Sequence, residues 1–381
     1  MAEKDFIEDL SFEGRLAEIN EKLARIRKGL EESGKEALLL NKHPNFSWIT
    51  AGGKGFVANC FDNSAIAVLV TKTKLFAICN VIEEPRIIEE ERLPELGFEL
   101  YVYKWQENSL ESFVKDQVSS WENVLSDTPL ANAIVDNAFI LSVRLPFTHN
   151  EIARYLYLGE YLSRGLEEYL PTVKPGMSEY EIAGGISNAL WKYNIEQVMH
   201  LVSADERADK YRHALPTEKK LEHNLLVSIN GRYKGLITTT SRMVYFGKPK
   251  PGFVEQYNDC CDMETQVISK AAPGVDEIEL YETLRQAYSS RGYPTMFDKH
   301  GQGGCQGYWP REYMITPDSH RIIRKDTAYC FNPVVDGTKS EDAFIVRDDG
   351  VLMITRPVTF PKRPYTVGGR TIERPALLVI N

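Results

Sequence analysis

Pro175-Gly-Met-Ser-Glu179-Tyr-Glu181-Ile182 and Pro273-Gly-Val-Asp-Glu277-Ile-Glu279-Leu280 write one pattern twice. Each copy follows one apolar helical pattern and precedes another. Pro ends the first helix, and Gly permits the tight turn into the next. Ser178 and Asp276 are natural N-caps, and acids in the following turn suit the positive end of the helix dipole. A shared context of this kind marks a duplicated α/β unit. Strand-like runs follow each copy: Leu225–Ile229 and Met243–Phe246 after the first, Thr327–Phe331 and Ala343–Val346 after the second. The pattern predicts helices flanking an antiparallel, curved sheet assembled from two related halves.

Upstream, residues 12–34 read as an amphipathic helix. Leu16, Ile19, Leu23, Ile26 and Leu30 recur at steps of three and four, and Gly34 suits the C-terminal cap. Short apolar segments follow at Ala37–Leu40, Ala65–Val70, Leu75–Cys79, Leu100–Lys104 and Ala133–Val135. Their length and spacing predict a small α/β domain with a largely buried sheet. Residues 136–148 read as a linker. A long helix then begins near Asn150, runs through Ile152, Leu156, Leu162 and Leu166, and ends before Pro171. The fold class is α/β (α+β), with domains at 1–142 and 143–381.

A length of 381 residues favours two domains over one core. Hydrophobic residues make up 43% and charged residues 26%, the balance of a globular chain. The net charge of −9 comes with no Lys/Arg-rich stripe, which argues against a nucleic-acid partner. No apolar run is long enough to span a bilayer, and charged Met1–Leu10 lacks the apolar core of a signal peptide. A cytoplasmic location with no membrane partner is the expectation. Cys60, Cys79, Cys260, Cys261, Cys305 and Cys330 show no CxxC spacing and read as reduced, mostly buried thiols.

The order of these features resembles the creatinase/aminopeptidase P/methionine aminopeptidase superfamily. The opening helix, Pro44-Asn-Phe-Ser-Trp-Ile-Thr50 and the strands after it are similar to a creatinase-type N-terminal domain. Lys174–Glu179 and its echo match the two pseudo-symmetric helices of the pita-bread fold. The resemblance implies five metal-ligand positions: two Asp, one His and two Glu holding two divalent metals. Here Asn230 stands at the first Asp, in Ile229-Asn230-Gly231, and Thr239 at the second, in Gly235-Leu-Ile-Thr-Thr239-Thr-Ser-Arg242. Gly304 stands at the His, when Gly303-Gly304-Cys305-Gln306-Gly307 is aligned on Gly307 and Arg311-Glu312. Asn332 stands at the first Glu, in Asn332-Pro333. Only the last Glu is kept, as Glu341. Two closely spaced dications need several anionic oxygens to offset their repulsion. No dinuclear centre and no cofactor are therefore expected. A shifted register that restored His300 as a ligand would still leave Glu341 as the one charged group.

Creatinase itself works without metal, and the resemblance carries its active His to His213, in Tyr211-Arg212-His213-Ala-Leu-Pro216. His213 is a candidate general acid/base, with a structural loop His as the alternative. Arg311 is a candidate carboxylate anchor, with Tyr308 or Trp309 lining the pocket. A structural Arg311–Glu312 pair is the alternative. Creatine is not expected as substrate, because its guanidinium needs anionic partners. Asn332 stands where creatinase has a carboxylate, and Ser241 where it has another acid. Both suit a neutral amide or urea-like group instead. The hydroxyl-rich run Thr238–Ser241 reads more readily as a strand that faces solvent or satisfies its neighbours than as a binding surface. His300, beside the glycine-rich turn, could join the pocket, with a surface-loop residue the favoured alternative. The candidate catalytic residues are His213 and Glu341. The candidate substrate-binding residues are Arg311, Glu312, Asn332, Tyr308, Ser241, Asn230, Thr239 and His300.

Three functions are compatible with this reading. The first is a metal-independent hydrolase or lyase acting on a C–N bond of a small carboxylate-bearing amino-acid derivative. The second is a non-catalytic peptide- or protein-binding module. The third is an Xaa-Pro-type metallopeptidase with unusual ligands. The implied ligand is a small molecule or short peptide, and the family resemblance implies a homodimer.

Overall fold

The computed structural model describes residues 5–381, so the first four residues of the Met1–Leu10 stretch lie outside the described residues. The chain divides into two compact units, Ile7–Asn150 and Glu151–Asn381, the latter joined by Asp5 and Phe6. The sequence reading placed this division at 142/143.

In the first unit, six strands form a mixed sheet: Glu99–Tyr103, Leu75–Asn80, Asn63–Thr71, Ala37–Lys42, Val124–Ser126 and Ile134–Val135, in that order across it. Helix Phe12–Glu32 covers it with Ile19, Leu23, Ile26 and Leu30, all buried. Its N-cap is Ser11, whose side chain accepts from Gly14 N. The segment around Pro44 forms a short buried helix, His43–Ile49. The expected linker is corrected here. Residues 137–144 form a helix whose N-cap, Asp136, accepts from Phe139 N. Its buried Ile140 and Val143 pack inward, and Phe139 lies so close to Gly29 that a Cβ there would sit 2.8 Å from the ring. The polar residues around this segment masked a short amphipathic helix.

In the second unit, a sheet runs in the order Tyr313–Met314, Gly303–Gln306, Ala328–Phe331, Asp342–Arg347, Leu236–Phe246, Asn224–Tyr233 and Glu196–Ala204. All neighbours along this path are antiparallel. The halves meet where Asp342 pairs with Thr240. The duplication is visible bond by bond. Gly176 N donates to Leu221 O (2.8 Å) and Gly274 N to Ile323 O (2.9 Å). Leu221 N donates to Met177 O (2.9 Å) and Ile323 N to Val275 O (2.8 Å). Helices Glu179–Trp191 and Glu277–Ser290 begin at Ser178 and Asp276, and Ser178 closes a capping box with Glu181.

The first glutamate of each copy is fully buried. Glu179 accepts from Ala204 N, Arg207 Nε and Thr217 N, and Glu277 accepts from the hydroxyls of Tyr313 and Tyr329. Buried carboxylates persist only with such partners. Each helix start is thereby pinned to its own half of the sheet.

Candidate active site

The pocket lies where the two halves meet. Asn230 pairs with Thr239 and Ser228 with Ser241. Partners across an antiparallel pair share a face, so these four side chains lie on one side of the sheet. Ser241 N donates to Glu341 O at 2.9 Å, which brings the start of strand Asp342–Arg347 alongside. Lys339 and Glu341 meet on the same side. The residues alternating with them, Ser340 and Asp342, bond to Glu264 on the other. The resulting pocket, about 250 Å³, is lined by His213, Asn230, His300, Arg311, Asn332, Lys339 and Glu341, with Met199, Leu201 and Met314 as its apolar wall. A larger cavity, about 480 Å³, contains none of these residues; Asp205, Asp209, His223 and Asp336 are among its lining.

Glu341 is the centre of the polar array. Its Oε2 accepts from Lys339 Nζ at 2.7 Å and from Ser241 Oγ at 2.8 Å, and its Oε1 lies 3.3 Å from Arg311 Nη2. Lys339 Nζ also donates to Ser228 Oγ at 2.9 Å, and the two serine hydroxyls are 2.6 Å apart. Burial alone would raise the Glu341 carboxyl. The Lys339 ammonium and Arg311 guanidinium outweigh it and hold the group down at about 2. Arg311 is already engaged with the protein: Nη1 donates to Pro310 O at 2.8 Å, and Nη2 approaches Glu341 and Cys330 Sγ.

His213 stands exposed at the rim, its ring centroid 5.6 Å from that of His300 in an edge-on arrangement. His300 is half-buried and lines the pocket rather than standing on a surface loop, the first of its two expected positions. Burial first, and the nearby Lys339 ammonium second, push it down to about 3, so it is neutral at physiological pH. With its amide oriented to suit its neighbours, Asn332 donates to Gln302 O (2.8 Å) and Gly301 O (3.0 Å) and accepts from His300 Nε2 (3.1 Å). That contact fixes the histidine tautomer and leaves Nδ1 with its lone pair.

Other expectations are revised. Tyr308 is fully buried and donates to Glu151 Oε1 at 2.6 Å, while Glu312 accepts from Tyr308 N at 2.8 Å and Trp309 N at 3.4 Å. Neither residue is in the pocket lining; both secure the turn that carries Arg311. The alternative Arg311–Glu312 pair gives way to Arg311–Glu341. Thr238, Thr239, Thr240 and Ser241 are all buried, and Thr238, Thr240 and Ser241 bond to neighbouring side chains, the second of the two expectations for this run. Thr239 Oγ1 has no hydrogen-bond partner, and Ser241 is tied to the pocket through Glu341 and, by way of Ser228, through Lys339. Lys339 was missed, because a lone Lys in a Gly-Thr-Lys-Ser turn carries no signal until the fold sets it on Glu341.

The residues present do not fit a dinuclear metal centre. Among the described residues, no group of three or more His, Cys, Asp or Glu is placed to hold a metal ion. Gly304 could not regain a histidine by substitution alone, since a Cβ there would sit 2.2 Å from Tyr313 O and 2.9 Å from Met314 Cα. The one carboxylate of the set is neutralised by an ammonium and a guanidinium.

No curated protein sequence matches the chain. Solved structures do share its fold. One is an Xaa-Pro dipeptidase from Bacillus anthracis, 20% identical, with a TM-score of 0.76 over 95% of this chain and 100% of that one. Dipeptidase PepE from Mycobacterium ulcerans is 16% identical, with a TM-score of 0.77 over 96% of this chain and 99% of its own. The N-terminal domain of FACT complex subunit SPT16 from Cicer arietinum is 13% identical, with a TM-score of 0.69 over 90% of this chain and 97% of its own. The profile of metallopeptidase family M24 matches residues 155–348, which span the duplicated halves and every residue of the pocket, and the chain belongs to that family.

Proposed function

We propose that the chain is a metal-independent hydrolase of creatinase type, acting on a C–N bond of a small amino-acid derivative that bears a carboxylate. The observation that carries this reading is the pairing of His213 and His300 opposite Lys339, Arg311 and Glu341 in one pocket. Two imidazoles share one pocket with two cations and a carboxylate. In the reaction, water adds its hydroxyl to the electrophilic carbon, and His213 takes the proton. The C–N bond breaks, and the nitrogen leaves with that proton. His300, neutral and held by Asn332, orients the reacting group. Asn230 offers an amide to its polar atoms, and Arg311 and Lys339 draw in the carboxylate. A small molecule or short peptide is the ligand, and a homodimer is the assembly this reading carries with it.

The test is a screen of N-acylamino acids, ureido acids and Xaa-Pro dipeptides in the presence of a chelator, with His213→Gln beside the parent. Chelator-resistant turnover that His213→Gln abolishes while ligand binding survives is the expected result. If the substitution changes neither turnover nor binding, the catalytic role of His213 is wrong.

A second reading is a binding module without catalysis. It is favoured by the engagement of Arg311 with Pro310 and Glu341 of the protein itself and by the fold's occurrence in a FACT complex subunit as well as in dipeptidases. Binding without turnover for every compound in the screen would move it to first place.

A further inference from the structure

The structure assigns Lys339 as the resident cation of the pocket: its ammonium supplies the positive charge at Glu341 that the family obtains from metal, so the pocket refuses divalent cations and takes a small organic monoanion. This rests on the pocket described above, but not on whether catalysis occurs there. Lys339 is 4% exposed, and its Nζ makes one contact to Glu341 at 2.7 Å and one to Ser228 Oγ at 2.9 Å. The loop Lys339–Ser228–Ser241–Glu341 closes on itself, because Ser241 Oγ bonds both Ser228 Oγ and Glu341 Oε2. A charge held by two converging groups, Glu341 and Ser228, which Ser241 in turn ties together, is fixed in place rather than a mobile surface lysine.

Three arguments point the same way. A divalent ion that approached Glu341 would have to displace the ammonium, with Arg311 only 3.3 Å from the other carboxylate oxygen. The remaining family positions offer Asn230, Thr239 and Asn332, which are neutral, and Gly304, which has no side chain. Among the lining residues that carry a fixed charge, two are cations, Arg311 and Lys339, and one is an anion, Glu341. The surplus is positive, and its natural complement is a single carboxylate. An ammonium has three donors, and Glu341 and Ser228 take two, which leaves the third for a ligand. The pocket of about 250 Å³ restricts that ligand to a small molecule or to the end of a chain.

The experiment measures two affinities on the purified full chain, for Mn²⁺ by calorimetry and for N-acetylglycine by ligand-observed NMR, with N-acetylglycinamide as the uncharged control. Lys339→Arg, Lys339→Met and Lys339→Glu are compared with the parent. The parent and Lys339→Arg should bind N-acetylglycine and not its amide, and should take up no stoichiometric Mn²⁺. Lys339→Met should weaken N-acetylglycine at least tenfold. Lys339→Glu places a second carboxylate beside Glu341, near His213 and His300, and should bind Mn²⁺ at least tenfold more tightly than the parent. Stoichiometric Mn²⁺ in the parent overturns the assignment, as does N-acetylglycine binding that Lys339→Met leaves unchanged. Should Lys339→Glu fail to fold, the Lys339→Arg and Lys339→Met pair decides alone. Absence of turnover in every variant would speak against the proposed catalysis and leave these two affinities to judge the resident cation.

Discussion

Glu341 and Asp342 are neighbours in the chain and both are buried, yet they serve two charge networks on opposite faces of one sheet. Asp342 belongs to a sealed array. Arg242 Nε donates to Glu167 Oε1 at 2.7 Å, Arg242 Nη1 reaches Asp342 Oδ1 at 3.0 Å, and Arg374 bridges Asp342 and Glu264. Three backbone amides, Val358, Thr359 and Phe360, finish Glu167. That side chain, Arg242, Asp342, Arg374 and Glu264 are all sealed from solvent. Glu341 belongs to an array of the same chemistry that opens onto a pocket. The difference teaches that ion pairing alone marks no site. The sealed array carries three carboxylates against two guanidiniums and lines neither of the two cavities described above, whereas the open array carries two cations against one carboxylate and shares its pocket with two histidines.

Breaking the sealed array should have the largest effect. Arg242→Met leaves Glu167 and Asp342 without their central cation, and should cost about 3–5 kcal/mol. Urea denaturation checks this, and a loss below about 1 kcal/mol would show that the network is not the keystone described here.

The second effect separates the arrays by pH. Glu341 is held down at about 2, below an unfolded value of about 4.5, so its contribution of about 3 kcal/mol is present above that value. It is lost as pH falls from about 4.5 to 2. Glu264 runs the other way: burial, partly countered by Arg374, pushes it up to about 7. The protonated form is then favoured in the native state, and a stability cost grows as pH rises from about 4.5 to 7. Melting temperatures across pH 2–8 should therefore flatten below about 4.5 for Glu341→Gln and above it for Glu264→Gln. Identical profiles for the two variants would erase the distinction.

A smaller effect tests the reassigned tyrosine. Tyr308→Phe strips Glu151 of a buried donor and should cost about 1–3 kcal/mol, read as a shift in urea midpoint. N-acetylglycine affinity should stay within twofold, and a larger change would return Tyr308 to the pocket. The smallest effect compares the duplicated halves: Ser178→Ala and Asp276→Ala should each cost about 1 kcal/mol by loss of an N-cap. Thermal melts of the two should agree to within a few tenths, with Ser178→Ala the larger because it also opens the capping box.

Local chemistry made much of this protein legible in its sequence. The caps at Ser178 and Asp276, the helix at Phe12–Glu32, the strand runs and the duplication follow from spacing and from the conformational habits of Pro, Gly and Ser, which act over a few residues. The departures from the metal ligands were legible for the same reason, since Asn230, Thr239, Gly304 and Asn332 are identities rather than contacts. What only the tertiary structure decided is the company each group keeps. The 137–144 helix is capped locally by Asp136 but set in place by packing of Phe139 beside Gly29, a contact far apart in sequence. Tyr308 left the site because Glu151 lies against it, and His300 entered because Asn332 reaches it. Lys339 became the pocket's cation because strand alternation turns it, Glu341, Ser228 and Ser241 toward one point. Charge interactions fall steeply with distance and burial, and a sequence specifies neither until the sheet has closed.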